Sequence, residues 1–239
     1  MRIDLYLDPL PSRERVHNLF RFLLQSGIAP EGAALRVVPA HAAASVPEHA
    51  AFPRVDTPGT ADLEVAFLGE KRLQNAALFK NHHLPKLLVG RHGLPEGAVR
   101  ASVPFEHKRR LSRWLRPVLE AADAFGWPAD LLYCDHGFVT KEIVKLAEWF
   151  HLDAVKEAMS EWLTQDVEKV LEGLIQDFPN VQVHAGVGHL RALLEEQARG
   201  PVFLLGSLHS GYTLPGRHHG LNYAALLTRG GGSGYFLAE

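Results

Sequence analysis

The sequence is poor in several features that would have named a function class. It holds one cysteine, Cys134, in 239 residues. That excludes an intramolecular disulfide and a cysteine-built zinc cage. No apolar run approaches the ~18 residues of a membrane span, so no membrane partner is expected. Met1–Asp8 lacks the long apolar core of a secretion signal, and a cytoplasmic protein is expected. Charge of one sign is also lacking. The formal net charge is −2, and the basic residues are dispersed, which argues against a nucleic-acid partner. The densest basic run, His107–Arg113, fits the solvated face of a helix. There is no repeat of fixed period, no low-complexity tail and no linker, so 1–239 reads as a single α/β domain.

What is present is a regular alternation of short apolar runs with helical patterns. Arg2–Leu7, Ala34–Val38, Asp62–Leu68, Lys86–Gly93, Leu131–Cys134, Val181–Val183 and Val202–Leu205 read as strands. Val16, Leu19, Phe20, Leu23 and Leu24 carry helical spacing behind a Ser12 cap. Helical patterns are also expected over 71–81 and over 105–125, the latter broken at Pro117, where the ring clashes with the preceding turn. Three more begin at Thr140, Asp153 and Thr164. This segment, 139–178, has more helix than one crossover needs, which makes it an extra layer, a lid or an interface. Leu221–Leu227 and Tyr235–Leu237 read as a closing hairpin across the glycine-rich tip 230–234.

Strands alternating with helices imply a mainly parallel sheet. The expected fold is a doubly wound, Rossmann-like α/β sheet of about seven strands with an antiparallel C-terminal hairpin. A β/α barrel is the alternative.

In such a sheet the strand C-terminal tips share one edge, where ligands bind. Those tips hold Asp8, His41, Glu70, Arg91 with His92, Asp135 with His136, His184, and Ser207 with His209. The chain has 14 histidines, and five tips supply imidazoles. Imidazole and carboxylate gathered in a cleft can serve as acid and base or bind a divalent metal. The expected catalytic set is His92, Asp135, His184 and His209. Arg91 suits an anionic group, because its planar fork pairs with phosphate or carboxylate. His41, Gly186, Gly188 and Ser207 complete the expected substrate contacts. Gly186-Val-Gly188 sits between a strand and a helix, where backbone N–H groups favour an anion. No His-Glu-x-x-His or His-x-His pattern occurs. A divalent metal, the candidate cofactor, would therefore need ligands from several strands.

Arg91-His92-Gly93, after a buried strand, resembles the Arg-His-Gly signature of the histidine phosphatases, in which the histidine accepts the phosphoryl group. The stretch around His184 looks a little like that family's second-histidine strand. Yet in that family the triplet opens the domain, whereas three strands precede it here. Ala185 also follows His184, where the family has glycine.

The functional expectation is thus a small-molecule hydrolase or phosphoryl-handling enzyme acting on a small anionic substrate, with metal assistance as an option. The alternative is a non-catalytic ligand-binding or sensor domain using the same cleft. A homodimer through 139–178 is the expected assembly to test.

Overall fold

The burial pattern of the first strand already shows how the sheet is placed. In β1 (Arg2–Tyr6) the three central residues, Ile3, Asp4 and Leu5, are all buried, so both faces are covered. A computed structural model describes the chain outside residues 9, 58, 70–82, 106–110, 136–142, 144–145, 148, 188–201, 209–226, 228–229 and 239. The expected helix over 71–81 lies outside the described residues. The chain divides into two compact units. One comprises Met1–Val99 with Gly200–Glu239, and the other Arg100–Arg199.

Unit 1 contains β1, β2 (Ala34–Val38), β3 (Leu63–Phe67), β4 (Lys86–Val89), β8 (Phe203–Ser207) and β9 (Ser233–Leu237), in the spatial order β2-β1-β3-β4-β9-β8. The first four are parallel. Helix α1 (Arg13–Gln25) follows β1. Ser12 caps it, its Oγ accepting from the Arg15 N–H. Its apolar face is buried through Val16, Leu19, Phe20 and Leu23. Phe20 meets Phe52 at 5.2 Å between ring centroids. Each such side chain contributes about 1.5–3 kcal/mol by leaving water.

One row across this sheet carries charge instead of hydrocarbon. Arg36, Asp4, Glu64 and Lys86 are register partners across β2, β1, β3 and β4. Arg36 donates to Asp4, and Lys86 donates to Glu64. Burial pushes the Lys86 ammonium down to about 8. The charges alternate in pairs, so each buried ion has an opposite neighbour to offset its desolvation.

Unit 2 contains β5 (Ala101–Phe105), β6 (Ala129–Asp135) and β7 (Val181–Val187), parallel and in that order. Helix α2 (Leu111–Ala124) and helix α3 (Asp153–Ile175) belong to it. Strand β5 is absent from the sequence reading, because Pro104 argues against a strand. Helix α2 runs through Pro117 without ending. Pro117 is exposed, so the carbonyl left without an amide partner lies on the wet side. The helical patterns at Asp153 and Thr164 are one continuous helix, α3.

The fold class is as expected: an open, mostly parallel α/β sheet arrangement with an antiparallel pair, and not a barrel. Nine strands stand among the described residues, where about seven were read. The antiparallel strand is β9, and it closes no local hairpin. Of its expected partner 221–227, only Leu227 is described, and it is helical. Strand β9 inserts between β4, to which it is antiparallel, and β8, to which it is parallel.

Candidate functional site

In unit 1 the order β2-β1-β3-β4 reverses between β1 and β3. Ligands of doubly wound sheets bind outside the strand carboxyl ends at such a reversal. The residues there come from three elements. Helix α1 starts beyond the C-terminal end of β1 and brings Arg15. Strand β3 ends in Phe67, and β4 leads into Gly90, Arg91 and His92.

Arg15 is half-buried. Its guanidinium lies 5.1 Å from the Phe67 ring centroid, and one NH2 group donates to the Gly90 carbonyl at 2.6 Å. Its Nε is buried without a hydrogen-bond partner. No carboxylate faces it among the described residues, and burial lowers its pKa. Compare Arg36 and Arg100, which are both held by aspartates. Arg91 is exposed and likewise has no carboxylate partner among the described residues. Its Nε–H meets His92 Nε2 at 3.3 Å.

The turn that presents Arg91 and His92 is fixed by β9. Ser233, fully buried, accepts from Gly90 N–H at 3.0 Å and donates to the Gly93 carbonyl at 2.5 Å. His92 N–H donates to the Gly231 carbonyl at 2.9 Å. A side chain at Gly90 would strike the carbonyls of Gly231 and Gly232. One at Gly231, where φ is +67°, would strike the His92 ring and the Arg91 guanidinium. The glycines at 230–232 are therefore not the tip of a hairpin. Gly231 and Gly232 form the floor against which the Arg91–His92 turn rests.

The expected rim divides. Arg91 and His92 lie at the β4 tip, exposed, and His41 lies in the 3-10 helix Ala40–Ser45 after β2, also exposed. Ser207 ends β8, which runs antiparallel to β4 through β9. Ser207 is therefore on the opposite edge of the sheet from His92. Asp135, His184 and Gly186 belong to unit 2. Asp135 is the last residue of β6, and Gly186 lies within β7. Glu70, His136, Gly188 and His209 are outside the described residues.

His184 is not at a strand end. Strand β7 continues to Val187, and His184 Nε2 sits 3.2 Å from Asp130 Oδ1. Asp130 is the second residue of β6 and is 4 % exposed. It also accepts two hydrogen bonds from Arg100, at 2.5 and 2.6 Å, and Arg100 reaches Gln182 at 2.7 Å. Burial alone would raise the Asp130 carboxyl. The hydrogen bonds from His184 and Arg100 outweigh it and hold the group below its ordinary value. This cluster lies toward the N-terminal ends of the strands of unit 2. A groove of about 460 Å³ beside it is lined by Glu168, Glu172, Gln176 and His184, among others.

Sequence reasoning missed Arg15 and Asp130. Arg15 reads as one more polar position on an amphipathic helix, and its spacing three residues after the Ser12 cap was the available signal. Among the described residues, no group of three His, Cys, Asp or Glu side chains is placed to hold a metal ion. Nor is any described helix long and apolar enough to cross a membrane.

No family model matches the chain, and no curated protein resembles it in sequence. Among solved structures it is similar to a universal stress protein from Archaeoglobus fulgidus DSM 4304. The TM-score is 0.54 and the identity 11%, over 100% of this chain and 96% of that one. This comparison overturns the expectation of a hydrolase or phosphoryl-handling enzyme, since the chain that shares the fold is a stress protein and not a hydrolase. At this identity the likeness carries the architecture alone: a mostly parallel, Rossmann-like α/β fold of the kind found in that universal stress protein.

Proposed function

We propose that the chain is a non-catalytic, stress-protein-like binder of a small anion, held at the β1/β3 reversal of unit 1 by Arg15 and Arg91. One observation carries this reading. Arg15 is a half-buried cation whose Nε has no partner and which faces no carboxylate among the described residues. A buried charge is costly until something opposite meets it, and a bound phosphate or carboxylate supplies that. The start of α1 adds N–H groups and the positive end of a helix dipole at the same place. Arg91, on a turn braced by Ser233, adds a second cation from the solvent side.

Thermal unfolding with inorganic phosphate, pyrophosphate and succinate tests the reading. Saturation with a binding anion raises stability by about 2.7 kcal/mol at a hundredfold excess over Kd. Arg15→Gln is expected to abolish that gain without unfolding the protein, and no anion should be consumed. A gain of equal size in Arg15→Gln, or turnover of pyrophosphate, would overturn it.

A further inference from the structure

The first half of α3 leaves several apolar side chains exposed. The second half is anchored. Leu163, Val167 and Leu171 are buried, and Thr164 Oγ1 accepts from the Ala185 N–H of β7 at 3.1 Å. Before that anchor, Leu152, Val155, Met159 and Trp162 recur at intervals of three, four and three. At 100° per residue the three helical positions fall within an arc of about 60°, the narrow seam of a helix pair, and Leu152 stands at the N-cap ahead of them. Trp162 is 60% exposed, and Leu152 and Val155 are exposed as well. Upstream, Trp149 at 80% and Phe150 at 66% continue the apolar surface, with Ile143 and Leu146 also exposed.

We propose that this seam, with the exposed Ile143, Leu146, Trp149, Phe150 and Val170, is the interface of a two-fold homodimer. Area is the first argument. With roughly 150–250 Å² per aromatic side chain, the exposed fractions of Trp149, Phe150 and Trp162 amount to about 300–500 Å², and the exposed Ile143, Leu146, Leu152, Val155 and Val170 bring the sum towards the roughly 800 Å² that a standard stable interface takes from each partner. Self-complementarity is the second. The four seam positions are symmetric about residue 157. An antiparallel two-fold pairing therefore sets Leu152 against Trp162 of the partner subunit, and Val155 against Met159 of the partner subunit. Such isologous contact is what a closed dimer requires. A net charge of only −2 opposes self-association little.

Sedimentation equilibrium on the full chain is the test, with circular dichroism to confirm folding. The wild type is expected at the mass of two chains. Trp162→Glu and Leu152→Glu, both at exposed positions, should weaken association about 30-fold or more while leaving the helical signal unchanged. A wild type that stays at the mass of one chain at ~100 μM overturns the proposal, whether or not it floats with phosphatidylglycerol vesicles; flotation would assign the face to a lipid surface instead. A dimer that persists in the Leu152→Glu, Trp162→Glu double variant overturns it too.

Discussion

Asp130 shows how much one side chain can hold together. It joins three strand neighbours of unit 2: Arg100 before β5, its own β6, and His184 on β7. Its folded pKa lies below the ordinary 3.8. The unfolded chain therefore binds the proton more readily, and stability rises with pH through this window. The contribution is complete above about pH 3.8 and is lost as pH falls through the folded value. Asp130→Asn is expected to cost about 1–3 kcal/mol at neutral pH. It should also flatten the acid limb of a stability–pH curve measured by urea unfolding. An unchanged acid limb would mean that the cluster does not act through this carboxylate. None of this could be read from the sequence, where Asp130 looks like a loop residue next to Pro128. The same holds for the Arg36–Asp4–Glu64–Lys86 row, since a cross-strand row exists only once the strand order and register are known.

At the level of elements, reading by period worked where burial is one-sided and failed where proline or length misled. Helix α1 and strands β1 to β4 stand close to their expected limits, because a clean apolar stripe or run defines each. Strand β5 was hidden by Pro104. Helix α2 was expected to break at Pro117, but the ring lies on the exposed side and the helix passes it. That tolerance still costs stability, because the missing amide and the crowded carbonyl remain. Pro117→Ala is therefore expected to stabilise the protein by about 1–3 kcal/mol, read as a higher midpoint in urea with unchanged slope. A lower midpoint would show that the proline fixes a packing direction in α2. Helix α3 was read as two helices because its apolar stripe changes side near Trp162. That change marks where burial against β7 begins.

For the whole molecule, the α/β class and parallel sheet were legible, because alternation of strand and helix is a property of the chain order itself. The candidate rim was legible only in part. Arg91 and His92 do occupy a strand tip at one edge. Ser207 does not share it, because the direction of β8 depends on β9, and no local pattern reveals an insertion between distant strands. The assumption that every strand points the same way failed at β8 and at the strand that sets its direction, β9.

That element sets a condition on how unit 1 is completed. Ser233 binds the turn after β4 from 143 residues further along the chain, and β9 is hydrogen-bonded on both sides. Tyr235→Pro, which removes a donor in the middle of this strand, is expected to raise amide exchange along β4 and β8 together; exchange confined to β9 would refute the shared dependence. During synthesis, β1 to β4 emerge long before β9. Until residues 233–237 arrive, β4 keeps an open edge and the Arg91–His92 turn has no floor. The Arg91–His92 rim is thus among the last features to form, and a ligand that needs it cannot assist the early steps of folding.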